Sequence, residues 1–130
     1  MTSEADLAPG RYSATCHCGA VELELNLPKG LDTPRRCTCS FCSRRGAIAV
    51  TVPLGDLRVV KGGTLKLYTF NTGVAQHYFC STCGIYTHHQ RRSNPNEYGV
   101  NAANIEGVAV WTLDPVAWND GVNHPSDRNN

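Results

Sequence analysis

Cys16-His17-Cys18-Gly19-Ala20-Val21-Glu22-Leu23-Glu24-Leu25-Asn26-Leu27 carries two messages in a short space. The second half places apolar side chains at Val21, Leu23, Leu25 and Leu27, with polar ones between them. This is the period-two pattern of a strand with one face in a core and one in water. The first half places two thiols two residues apart, so on extended chain both sulfurs lie on one side. A Zn–S bond of about 2.3 Å puts the sulfurs of one tetrahedral site about 3.8 Å apart. The chain must therefore curl locally, and Gly19 permits it.

The strand pattern continues in both directions. Arg11 to Cys16 precedes it. Arg35 to Cys39, Ala47 to Val52, Leu57 to Lys61, Leu65 to Asn71, Val74 to Phe79, Ile85 to His89 and Tyr98 to Ala102 follow, as β-branched or alternating runs. Gly and Pro clusters separate them, so they read as successive hairpins. Ser40 to Gly46 reads as a tight turn, and no segment sustains an amphipathic helical period over three turns. The tail from Trp111 reads as extended chain with turns. Trp111, Trp118, Tyr68, Phe70 and Phe79 are candidates for the core. The expected architecture is all-β and mainly antiparallel, a single domain over residues 11–125 between flexible ends at 1–10 and 126–130.

A chain of 130 residues with 41% hydrophobic content supports one modest core. Its formal charge of +1 comes with no basic stripe, which argues against nucleic acid and membrane surfaces as partners and favours a small molecule. No apolar run is long enough to cross a bilayer. Met1 to Pro9 carries Glu4 and Asp6 where a secretory signal would be basic and then apolar. A cytoplasmic protein is expected, and there thiols stay reduced.

The seven cysteines are then better read as metal ligands than as a disulfide framework, which their odd number would leave incomplete. They fall into three clusters: Cys16 and Cys18; Cys37, Cys39 and Cys42; Cys80 and Cys83. Cys80 and Cys83 have the gap of a metal-binding turn, and Gly84 follows where a positive φ is needed. The natural division is four sulfurs and three, although spacing alone could join Cys80 and Cys83 to the middle cluster. Four thiolates close a tetrahedral metal; three leave a position open. Water, substrate or a histidine (His77, His88 or His89) would fill it. A histidine makes the site structural, whereas water or substrate makes it catalytic. A metal held by three thiolates is a weak Lewis acid that suits a soft sulfur ligand. Neither common ferredoxin spacing is present, which argues against an iron–sulfur cluster.

Cys16 to Val21, the Cys-x-Cys-x-x-Cys at Cys37 to Cys42 followed by Arg44 and Arg45, and the Cys-x-x-Cys-Gly at Cys80 to Gly84 resemble the glutathione-dependent formaldehyde-activating enzyme family, which also includes centromere protein V. The resemblance implies an Mss4-like fold with two zincs, a structural one on Cys16, Cys18, Cys80 and Cys83 and a catalytic one on Cys37, Cys39 and Cys42. It also implies a carbon–sulfur lyase that interconverts glutathione plus formaldehyde with S-hydroxymethylglutathione. The alternative is a zinc-stabilised binding module without chemistry.

Around these clusters, Arg35, Arg36, Arg44 and Arg45 could clamp a glutathione carboxylate, with a solvated surface role the simpler reading for each. His17 should point away from the metal its neighbours hold. Adjacent His88 and His89 should face opposite ways, so at most one serves a given site. His124 fits a turn.

Overall fold

The computed structural model describes residues 8–70, 73–91 and 94–121. Of the expected loose ends at 1–10 and 126–130, residues 1–7 and 126–130 lie outside them, as does His124, while Gly10 opens the first strand. Among the described residues, ten strands form two sheets. β1 (Gly10–Thr15), β2 (Glu22–Leu27) and β5 (Leu57–Lys61) make the smaller, in the order β1-β2-β5. The larger holds β3 (Arg35–Cys37), β4 (Ala49–Pro53), β6 (Leu65–Tyr68), β7 (Gln76–Cys80), β8 (Tyr86–Gln90), β9 (Glu97–Asn101) and β10 (Ala117–Asn119), in the order β10-β3-β4-β9-β8-β7-β6. All pairs are antiparallel except β10 with β3. The fold is therefore the mostly antiparallel β domain expected, with one short helix added.

The core lies between the sheets. Val21, Leu23, Leu25 and Leu27 are at most 1% exposed and meet Val50 and Val52 of β4 and Val100 of β9 in one apolar cluster. Each such side chain stabilises the fold by about 1.5–3 kcal/mol through burial. The alternation that places Val50 and Val52 in this core turns Ala49 and Thr51 to the opposite face of the large sheet.

Several expectations change in detail. Ser40–Arg45 is a helix, α1, rather than a turn alone. The Cys39 side chain caps it by accepting from the Cys42 amide, and Gly46 closes it at φ 68°. At six residues it is too short to show the period that would announce it. Strands consecutive along the chain pair antiparallel at β1–β2, at β3–β4 and from β6 to β9, but not from β4 through β5 to β6. β4 and β5 belong to different sheets, because β5 pairs with β2. Trp111 is 78% exposed and Trp118 51%, so neither serves the core; Trp118 instead lies under the Arg36 guanidinium.

Candidate functional site

Two groups of sulfurs converge. The first joins Cys16 and Cys18, in the turn after β1, with Cys80, the last residue of β7, and Cys83 in the turn to β8. All four Sγ atoms lie within 4.8 Å of one another. The Cys16–Cys18 and Cys18–Cys80 separations are both 3.7 Å, close to the tetrahedral edge set by Zn–S bonds. Gly19 and Gly84 both adopt positive φ, +82° and +79°, which lets each turn curl around its sulfurs. The Val21 amide donates to Cys16 Sγ at 3.3 Å, and the Thr64 hydroxyl lies 3.3 Å from Cys80 Sγ. That hydroxyl, followed by the Cys83 amide, holds the Cys80 thiol down at about 6. The donor set thus fits a thiolate-binding metal such as zinc: four sulfurs at tetrahedral spacing, two of them receiving hydrogen bonds.

The second group is Cys37, Cys39 and Cys42, again within 4.8 Å of one another. Cys37 ends β3, Cys39 caps α1, and Cys42 sits in its first turns. As thiols they share hydrogen bonds unevenly. Cys39 is pushed far down, first by Cys37 and then by Cys42. Cys42 is pushed far up by its bonds to Cys37 and Cys39. No histidine or carboxylate among the described residues joins the group, so this donor set fits a metal with one position left open.

The three cysteines lie on the wall of a cleft of about 530 Å³. The cleft runs over the face of the large sheet turned away from the core, so its lining alternates along each strand: Arg35 and Cys37 on β3, Ala49 and Thr51 on β4. A row of paired residues, His77, His89, Gly99 and Thr51, crosses four strands. His77 stacks on His89 with ring centroids 5.1 Å apart. A Cβ on Gly99 would come within 2.4 Å of the His89 ring, so that ring lies where only glycine leaves room. His89 and His88 do face opposite ways. His89 lines the cleft, whereas His88 is buried against Tyr78 and Tyr98.

Arg45 departs from the surface role. Its guanidinium lies 3.6 Å above the Tyr86 ring and 4.7 Å from that of Phe41. It donates to Cys42 Sγ at 3.4 Å and contacts His77 Nδ1 at 3.3 Å. A guanidinium only donates, so that nitrogen accepts and a neutral His77 ring carries its proton on Nε2. Arg44 is exposed and bonds the Ser40 carbonyl. Arg36 lines the cleft but pairs with Asp114 and bonds the Gly46 carbonyl. His17 is exposed, away from the cleft.

Arg91, Gly99 and Gly121 escaped the sequence reading. Arg91 was open to discovery, two residues from His89 on the same strand face. Gly121 had no local signal, because it reaches the cysteines only through the pairing of β10 with β3.

These features define a small two-sheet β protein with one closed and one open cysteine cluster, the open one in a cleft. The chain belongs to the glutathione-dependent formaldehyde-activating enzyme family, whose model matches residues 11–118. A crystal structure of a Rhodobacter sphaeroides protein is similar at 62% identity, with a TM-score of 0.79, covering 82% of this chain and 99% of that one. No helix among the described residues is long and apolar enough to cross a membrane.

Proposed function

We propose that the cleft catalyses carbon–sulfur bond formation and cleavage, interconverting glutathione plus formaldehyde with S-hydroxymethylglutathione, with Cys37, Cys39 and Cys42 as the reaction centre. Cys16, Cys18, Cys80 and Cys83 hold a structural zinc. The observation that carries this reading is that three sulfurs converge on a cleft wall and no fourth side chain among the described residues completes them. Zinc held by these three cysteines would supply an open position for an exogenous thiol and lower that thiol's pKa.

The remaining tasks fall to the chain. In the forward direction the thiol sulfur bonds to the carbonyl carbon and the sulfhydryl proton ends on the carbonyl oxygen; nothing is oxidised. Arg45, donating to Cys42 Sγ, offsets negative charge gathered on the cysteines. His77 and His89 line the wall along which the proton travels. The Arg35 side chain makes no hydrogen bond or ion pair with the described residues, and it shares a strand face with Cys37. It is placed to take a carboxylate of the thiol substrate.

Exchange NMR of glutathione and formaldehyde with the zinc-loaded protein tests the proposal. Interconversion is expected to exceed the rate in buffer and to return to it in Cys37→Ser, with the fold retained. A wild-type protein that binds two zincs yet leaves the exchange rate unchanged would instead be a zinc-stabilised binding module.

A further inference from the structure

Gly121 lies beyond the residues matched by the family model, yet its backbone is pressed against the open cluster. A Cβ there would stand 2.5 Å from Cys37 Sγ, 2.8 Å from Cys39 Cβ and 3.0 Å from the Cys39 amide nitrogen. Its φ is outside the left-handed region, so backbone conformation does not demand glycine here. Space does. The last two of those atoms belong to a residue fixed as the cap of α1, so they cannot swing aside.

Several hydrogen bonds hold the segment in place. The Thr38 amide donates to the Asn119 carbonyl at 3.0 Å, the Thr38 hydroxyl to the same carbonyl at 3.2 Å, and the Gly121 amide to the Thr38 hydroxyl at 3.1 Å. Thr38 stands between two of the cysteines. The parallel pairing of Trp118 with Arg36 and Asn119 with Cys37 brings the segment to them.

We propose that residues 119–121 form a backbone clamp on the three-cysteine site, with Gly121 the positioning residue that fixes where Cys37 Sγ sits. The clamp closes one side of the sulfur triangle with main chain alone, leaving the fourth position to face the cleft. This rests on the reading that the three cysteines hold a metal, so its test reads metal binding and not turnover.

In Gly121→Ala the added methyl fits only if Cys37, Cys39 or the clamp itself shifts, and each of these disturbs the sulfur triangle or opens its closed side. Native mass spectrometry is expected to show zinc falling from two to about one per chain. In the cobalt-substituted protein, the thiolate charge-transfer and d–d bands of the second site should be lost or shifted while those of the four-cysteine site persist. Gly63→Ala is the control, since a Cβ there meets nothing within 4 Å.

Thr38→Val adds no bulk at Gly121 but removes the hydroxyl ties. It should weaken the second metal at least about fivefold in competition with a chelator, leaving the first unchanged, and it serves if Gly121→Ala does not fold. Two metals with unaltered spectra in Gly121→Ala, or unaltered affinity in Thr38→Val, overturns the clamp while the metal site stands. A wild-type protein that binds only one metal overturns both.

Discussion

His88 carries a proton ledger separate from the cleft. It is 3% exposed, its ring stacks on Tyr78 with centroids 4.8 Å apart, and its Nδ1 lies 2.8 Å from the Thr87 hydroxyl. No carboxylate among the described residues contacts it, and burial pushes it down to about 4. In the unfolded chain it titrates near about 6.5. The folded value is the lower one, so the associated stability is fully present above pH 6.5. It is lost as pH falls toward 4, where the unfolded chain takes up a proton that the folded one refuses. The shift corresponds to about 3 kcal/mol. His88→Phe should lose correspondingly less stability than wild type between pH 7 and 4, measured by urea unfolding. Comparing the two proteins cancels acid loss of metal from the cysteines, which both share. Parallel pH curves would refute this account of His88.

The four-cysteine cluster joins the two sheets. Cys16 and Cys18 follow β1 of the small sheet, whereas Cys80 ends β7 of the large one. A metal there would staple one layer to the other, and binding energy gained only in the folded chain would become folding energy. The three-cysteine cluster instead ties β3 to the adjoining α1, elements already continuous in sequence. Cys80→Ser should therefore lower the melting temperature by more than about 10 °C or prevent folding. Cys37→Ser should cost only a few degrees while removing one metal. Thermal unfolding alongside metal analysis checks both, and equal effects would abolish the distinction between staple and reaction centre. β2 was legible residue by residue because its alternation reflects a single sheet face against a core. α1 was not, because a capped helix of six residues is written in its cap, Cys39, and its closing Gly46.

Over the whole molecule, legibility follows range. The cysteine clusters and most strands are local patterns, and they were read from the chain. The exchange of β5 into the small sheet, the parallel pairing of β10 with β3, and the cleft that these leave over the large sheet depend on partners distant in sequence, and periodicity cannot specify them. The arginines illustrate the cost. All four that line the cleft, Arg35, Arg36, Arg45 and Arg91, look alike in the chain, but folding separates their duties. Arg36 is held by Asp114, Arg45 by Cys42 and the aromatic rings, and Arg91 by Glu97. The Arg35 side chain has no such partner among the described residues. Under the proposed function, its charge selects thiols that carry a carboxylate. Arg35→Gln should raise KM for glutathione about tenfold or more with kcat unchanged, the signature of binding lost equally from ground and transition states. Turnover of 2-mercaptoethanol, which has no carboxylate, should not change. The glutathione KM of the wild-type protein should also rise with ionic strength, and that dependence should flatten in the variant. An equal loss for both thiols would mean that Arg35 supports the site itself and not the substrate.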